Sequence, residues 1–385
     1  MRSPTRRSGT GTPNSSTSGS TAGQHPSHEK LLVRDVALPD AAALDAIIVP
    51  TARAVSMLDH AVSLAMKFGC PLVVLCSRRA DAAAALDRAR GTGVAMSAAD
   101  FRGESFLPRF RTTELLRGQP VRRTTDTADK RNLGLAVGRM LGWRRVLFLD
   151  DDIREVDAGL LAGAAALLDH HDAVGLENTG FEDNSVVCHA NRATGGDQGT
   201  FVGGGALLIP AARNISFFPH IYNEDWFFLL NGRRIGSVAV GGVCEQQPFN
   251  PYADPDRARQ EEFGDCLAEG MFSLLDNGRE AQAATAEFWA GFLRQRHDLI
   301  TSIRDRVPTA PRLADHKHEA EQALAASLRS LETISPGLCV TFLAKWRRDR
   351  MRWRQFLTTL PSMTSAASAL TYLGVPARSL PGGAA

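Results

Sequence analysis

The chain has 385 residues, 44% of them hydrophobic and 22% charged, with a formal net charge of +2 at pH 7. That balance excludes a wholly disordered or fibrous chain, and the near-neutral charge excludes a strong overall attraction to nucleic acid or anionic lipid, so any basic surface must be local. The length accommodates one large domain, or one domain with substantial additions.

In chain order, residues 1–30 are dominated by Ser, Thr, Gly and Pro and carry too little apolar surface to offset chain entropy, which predicts a disordered tail. They include Arg6 and Arg7 but lack the apolar stretch of a secretory signal. Residues 45–50 (DAIIVP) form an apolar, β-rich run that stops at proline. Residues 55–68 then show helical spacing at Leu58, Val62, Leu64 and Met66, and residues 71–76 (PLVVLC) return to strand character. This strand, helix, strand order is a βαβ unit and implies a parallel sheet.

Residues 80–90 read as an Ala-rich helix and 91–120 as irregular chain. A helix over 127–141 leads directly into a strand over 145–149 and the acidic triplet Asp150, Asp151, Asp152. A helix is expected over 158–168, short strands over 174–176 and 186–189, and a glycine loop turning into strand over 203–209. From residue 263 the pattern is helical through 304, then over 316–331 and 338–359. The expected organisation is therefore a tail (1–30), an α/β domain (31–262), a helical extension (263–360) and a flexible tail (361–385).

The six cysteines are dispersed without a Cys-x-x-Cys pair and sit mostly among apolar residues. They read as buried thiols in a reducing compartment, with the cytoplasm as the default. No window approaches the apolar length of a membrane span, and peripheral membrane contact stays open.

The triplet follows an apolar run that would form a buried parallel strand, and α/β sheets bind ligands beyond the carboxyl ends of such strands. Side-chain alternation puts Asp150 and Asp152 on one side and Asp151 on the other. Hard cations such as Mg²⁺ and Mn²⁺ prefer carboxylate and phosphate oxygens and keep positions open for a diphosphate. Taken alone, the triplet reads equally as a solvated turn with helix-capping aspartates.

Three neighbouring motifs bear on that choice: Lys130, Arg131, Asn132 and Gly134 on the preceding helix, the loop Gly203-Gly204-Gly205-Ala206, and the turn Asn223-Glu224-Asp225-Trp226. Their order around the strand LFLDDD resembles the family 2 type glycosyltransferases and related GT-A enzymes, over about residues 45–249. The resemblance implies an α/β, Rossmann-like mixed sheet of the GT-A kind with a C-terminal helical extension. It further implies a cation, Mn²⁺ or Mg²⁺, and a nucleotide diphosphate sugar donor of UDP or GDP type.

Carried over residue by residue, the resemblance makes Asp152 the preferred metal ligand, Asp150 a ribose or metal-shell candidate, and Asp151 part of the nucleotide-sugar site. Pro50, Thr51 and Arg53 match the place that holds base and ribose, and Lys130 the place of a cation facing the diphosphate. Gly203, Gly204 and Gly205 would let backbone approach the sugar, or equally mark a bulge. Asp225 is the expected general base, Glu224 its orienting neighbour, and Trp226 a stacking surface. The same turn is also good helix-capping chemistry.

Where many relatives place a metal-binding histidine, residues 243–249 read VCEQQPF, and Glu245 is the substitute. Residues 76–78 (CSR) stand where the family offers an acid to the nucleoside. The basic run 345–354 (KWRRDRMRWR) suits anionic lipid or an acidic acceptor, or the solvated face of a helix with its tryptophans inward.

An ATPase would need a phosphate-cradling G-x-x-x-x-G-K-[ST] loop, which the sequence lacks. An aspartyl phosphatase would need a Gly-Thr continuation where Ile153-Arg154 stands. A sugar nucleotidyltransferase or a non-catalytic nucleotide-sugar-binding protein remains the alternative reading.

Overall fold

The computed structural model describes residues 28–34, 36–182, 184–199 and 201–383. Strand β1 (Ala46–Thr51) and strand β2 (Leu72–Cys76) are buried along their whole lengths and pair in parallel, as continuous apolar runs covered on both faces must. Helix α1 (Asp59–Phe68) connects them. Helix α2 (Ala82–Ala89), capped by Asp81 accepting the Ala84 N–H, leads to β3 (Met96–Asp100), and α3 (Arg111–Leu116) follows. Residues 91–120, read from sequence as irregular, thus hold a strand and a short helix. Helix α4 (Thr127–Met140) leads into β4 (Val146–Leu149), parallel to β1.

The sheet continues with β5 (Ile153–Val156), α5 (Ala158–Leu167), β6 (Ala173–Asn178), α6 (Val186–Ala193), β7 (Ala206–Ile209), α7 (Glu224–Leu229) and β8 (Val238–Gln246). The strand expected over 186–189 is the first half of α6, because Ser185 accepts the Cys188 N–H and caps a helix there. Helices α8 (Pro255–Asp276), α9 (Ala286–Arg306), α10 (Lys317–Leu331), α11 (Pro336–Thr359) and α12 (Ala366–Tyr372) precede a last strand, β9 (Ala377–Leu380). The described residues form a nine-stranded mixed sheet in the order β5-β8-β6-β7-β4-β1-β2-β3-β9. Strand β7 is antiparallel to both β4 and β6.

Alternation along β1 divides the core. Ile47 and Val49 join α1, α2 and α5 on one face, while Ile48 joins Phe148, α4 and the C-terminal helices on the other. Trp289, Trp346 and Trp353 are fully buried in that second cluster. The C-terminal helices therefore share a core with α4, and the boundary expected at 262–263 falls inside α8.

Two other expectations change. Residues 361–385 were read as a flexible tail from their Ala, Ser, Gly and Pro content, yet Leu370, Leu373 and Val375 are buried and β9 pairs antiparallel with β3. At the other end, residues 1–27 of the expected tail lie outside the described residues. His28 is 2% exposed and Glu29–Leu31 forms a helical turn, so ordered chain begins earlier than the sequence suggested. No helix among the described residues is long and apolar enough to cross a membrane.

Candidate active site

Helix α4 lies close on β1 and β4 because Gly134 faces them. A Cβ there would stand 2.9 Å from Phe148 Cε1 and 3.0 Å from Ile48 Cγ2. This approach carries Lys130 and Arg131, one turn earlier, over the carboxyl ends of those strands.

The triplet divides as alternation requires. Asp150 and Asp152 line one cavity of about 510 Å³, while Asp151 turns to the end of β1 and lines a second cavity of about 350 Å³. Asp151 accepts the Thr51 hydroxyl at 2.6 Å and pairs with Arg53, whose other nitrogen reaches Asp152 Oδ2 at 2.9 Å. Burial lowers the Arg53 pKa, but Asp152 and Asp151 more than reverse this. The Arg53 side chain is 53% exposed, so one solvent-facing guanidinium holds two of the three carboxylates.

Arg131 is the other cation of the site, and it is buried. Its Nη2 donates to both oxygens of Asp150, at 3.0 and 2.9 Å, and its Nη1 donates to Glu224 Oε1 at 3.0 Å. One guanidinium thus ties the end of β4 to the head of α7. Burial works against its charge, yet Asp150, Glu224 and Asp225 around it raise its pKa above the ordinary arginine value. Burial also raises Asp150; Arg131 pulls it back and Asp152 and Asp151 push again, leaving it up at about 6.

Glu224 and Asp225 are adjacent in sequence and opposite in state. Glu224 also accepts from Arg123 Nη1 at 2.6 Å, and although burial raises it, the two arginines bring its pKa below the usual glutamate value. Among the described residues, Asp225 forms no salt bridge with an arginine. It accepts the Gly204 N–H at 2.5 Å and the Trp226 N–H at 2.9 Å, while burial and then Glu224 push its carboxyl up to about 6. Gly204 is needed for this close approach, because a Cβ there would lie 2.4 Å from Arg131 Nη1.

The larger cavity brings together Arg53, Asp150, Asp152, Gly203, Glu224, Asp225 and Trp226 from the sequence-derived set. The smaller one gathers Pro50, Arg53, Lys130, Asp150 and Asp151, and the two share Arg53 and Asp150. Thr51 is fully buried beneath Asp151. Gly205 supplies the carbonyl that accepts the Asp150 N–H at 2.8 Å. Trp226 is half-buried, with its ring against Phe201, Phe272 and His28.

Two residues have settings unlike those expected. Lys130 is 1% exposed, and its amine is committed to the Thr51 carbonyl at 2.7 Å, Ser77 Oγ at 2.6 Å and Asp126 at 2.9 Å. It braces the end of β1 from below instead of offering a free ammonium to a diphosphate. Glu245 pairs with Arg154 at 3.7 Å and is not in the lining of the larger cavity; Gln246 is, with Nε2 3.4 Å from Asp152 Oδ2. The alternation of β8 puts the neighbour of the expected ligand beside the triplet. Sequence reasoning also passed over the bridging role of Arg131 and the part played by Arg123, although Arg131 adjoins Lys130 on the same helix.

A divalent cation fits Asp150 and Asp152 as a two-carboxylate site. Both face one cavity, Asp150 held by Arg131 and Asp152 by Arg53, whose exposed side chain can turn away, and a small hard cation commonly takes one or two carboxylates with the remainder from phosphate and water. Among the described residues, the group of three ligating side chains compact enough to hold an ion is elsewhere in the same cavity: Cys188, Asp265 and Glu269. Those carboxylates are already engaged by Ser185, Asn223, Arg296 and His28, and burial holds the Cys188 thiol protonated. All six cysteines are buried and free.

No family model matches the chain, and no curated protein does. Among solved structures it is similar to the mannosyltransferase PcManGT from Pyrobaculum calidifontis in complex with GDP-Man and Mn2+, at 14% sequence identity and a TM-score of 0.41, over 88% of each chain. At that distance the likeness carries no functional weight, and the chemistry rests on the site itself.

Proposed function

We propose that the chain is a metal-dependent glycosyltransferase of the GT-A kind, moving a hexose from a nucleotide diphosphate sugar, of UDP or GDP type, to an acceptor hydroxyl. One observation carries this reading: Asp150 and Asp152 at the end of β4 and Asp225 at the head of α7 face a single cavity of about 510 Å³, where Arg131 ties Asp150 to Glu224, the neighbour of Asp225. The sheet supports it, since β3, β2, β1 and β4 are parallel neighbours and antiparallel β7 follows β4.

In this reading the nucleoside takes the smaller cavity beside Pro50, Thr51 and Asp151, and the diphosphate crosses Arg53 into the larger one. Asp152 and Asp150 would hold Mn²⁺ or Mg²⁺, which when bound neutralises charge building on the departing diphosphate. Arg53 is free to turn from the carboxylates toward phosphate, because its side chain is half in solvent. Asp225 removes the proton of the acceptor hydroxyl as the anomeric bond breaks, if configuration is inverted. A carboxyl raised to about 6 is largely ionised at neutral pH and still basic enough to accept that proton. Glu224, neutralised by Arg123 and Arg131, fixes the turn that presents Asp225. Trp226 lines the cavity beside the sugar and Gly203 gives a backbone that can approach it.

A thermal-shift panel of UDP-, GDP- and TDP-sugars with and without Mn²⁺ tests the proposal. One nucleotide should stabilise the protein only with metal, by about 2.7 kcal/mol at a hundredfold excess over Kd. Indifference to all of them would refute it.

A further inference from the structure

Independently of the donor site, the outer face of helix α11 presents basic side chains that form no ion pair with a carboxylate among the described residues. Helix α11 carries Lys345, Arg347, Arg348, Arg350, Arg352 and Arg354 against one carboxylate, Asp349. Asp349 points inward. It is fully buried and accepts the N–H groups of Arg111 and Thr112, both at 2.9 Å, and the Thr112 hydroxyl at 2.8 Å, so its charge is spent on the start of α3. Arg350 is also buried, donating to the Leu230 carbonyl beside Trp346. The tryptophans therefore pack inward, as one sequence reading allowed, but the outward stripe Arg348, Met351, Arg352 remains exposed at helical spacing.

A neighbouring loop extends this face. Arg352 donates to the Arg109 carbonyl at 2.8 Å, and Phe106, three residues before Arg109, is anchored by its N–H on the Leu373 carbonyl at 2.8 Å. Arg102 and Arg109 are exposed there too. Among the described residues, none of Arg102, Arg109, Arg348, Arg352 and Arg354 forms a salt bridge with a carboxylate. Phe106 at 73% and Met351 at 62% are the two most exposed large apolar side chains of the described chain, Met351 on the stripe and Phe106 on the loop that Arg352 joins to it.

A merely solvated basic helix has no use for a protruding phenylalanine and methionine. A single-stranded nucleic acid stacks its bases on aromatic rings such as Phe106 but offers no apolar phase to Met351. Guanidinium groups interleaved with exposed apolar side chains match the boundary between anionic headgroups and acyl chains. We infer that this face docks the protein on an anionic lipid bilayer.

The test is co-sedimentation of the full chain with vesicles of phosphatidylcholine alone or mixed with phosphatidylglycerol. Binding is expected only to the mixed vesicles and should weaken with salt. The double variant Arg348→Glu, Arg352→Glu alters two guanidinium groups of the stripe and should lower partitioning by at least about 30-fold, since each basic residue near such a surface is worth about fivefold. Phe106→Ser should lower it roughly tenfold through lost apolar insertion. Both should keep the wild-type melting temperature; if the double variant melts early, Phe106→Ser decides. Equal binding to neutral vesicles, binding to neither, an unaffected Phe106→Ser variant, or retention on heparin without vesicle binding would overturn the inference.

Discussion

Replacing Asp225 with asparagine removes the proposed base with almost no change of shape. The wild-type carboxyl is raised to about 6 by burial and by Glu224, against Arg131 and the N–H groups of Gly204 and Trp226. The ionised form is the one that accepts a proton, so activity should be level above about pH 7, half-maximal near pH 6 and fall with acid below it. At pH 5 only roughly 10% of such a base remains ionised, whereas an ordinary aspartate of pKa about 3.9 would keep over 90%. Asparagine should cut kcat by about 10²- to 10⁴-fold and leave the donor KM close to wild type.

The structure also limits the stability cost of this change. Each carboxylate oxygen accepts one backbone N–H, and an amide can satisfy only one of the two, a loss of about 1–3 kcal/mol. Removing a negative charge beside Glu224 works the other way, so the variant should fold. The assay is steady-state transfer between pH 4.5 and 8.5 for both proteins, with melting temperatures alongside. A variant within threefold of wild-type kcat, or a wild-type acid limb centred near pH 4, would refute the assignment of Asp225 as base.

Arg131→Met should be the most damaging single change in the site: it leaves the part-buried Asp150 without its cation and the buried Glu224 with Arg123 alone, costing about 3 kcal/mol by chemical denaturation. A loss below 1 kcal/mol would show that the guanidinium does not hold these acids. Gly204→Ala places a methyl 2.4 Å from Arg131 Nη1 and should lower both melting temperature and transfer rate, whereas Gly195→Ala, in an open turn, should affect stability alone. His28 supplies a pH prediction. Burial lowers its pKa, but hydrogen bonds to Asp276 and Glu269 raise it to about 9. The stabilisation is thus fully present below pH 6.5 and lost as pH rises through 9, with an amplitude of roughly 3 kcal/mol. His28→Gln should lack that alkaline decline in unfolding free energy, and parallel pH curves for the two proteins would contradict the protonated histidine.

The strand at residues 146–149 and the partition of the triplet were legible because an apolar run and period-2 alternation are local properties of the chain. What Arg131 and Lys130 do was not, since two adjacent cations on a helix acquire different roles only once α4 is laid across β1 and β4. Lys130 falls inward onto Thr51 and Ser77, and Arg131 reaches across to Asp150 and Glu224. Gln246 and not Glu245 lines the larger cavity because side chains alternate at the end of β8, and the two glycines and mixed burial of that strand hide from the sequence which face meets the triplet. Residues 366–380 were misread because their small-residue composition resembles a tail, while a few buried side chains and pairing to β3 suffice to order them. Capping by Ser185 likewise outweighed the β-branched Val186 and Val187.

The central claim is that Asp152, with Asp150, couples a divalent cation to a nucleotide diphosphate sugar. Its most direct test is donor binding by wild type and Asp152→Ala, measured calorimetrically with and without Mn²⁺. Wild type should bind one nucleotide sugar tightly only with metal, and Asp152→Ala should lose that metal-dependent gain while retaining its fold. Equal, metal-dependent binding by both proteins would contradict the account.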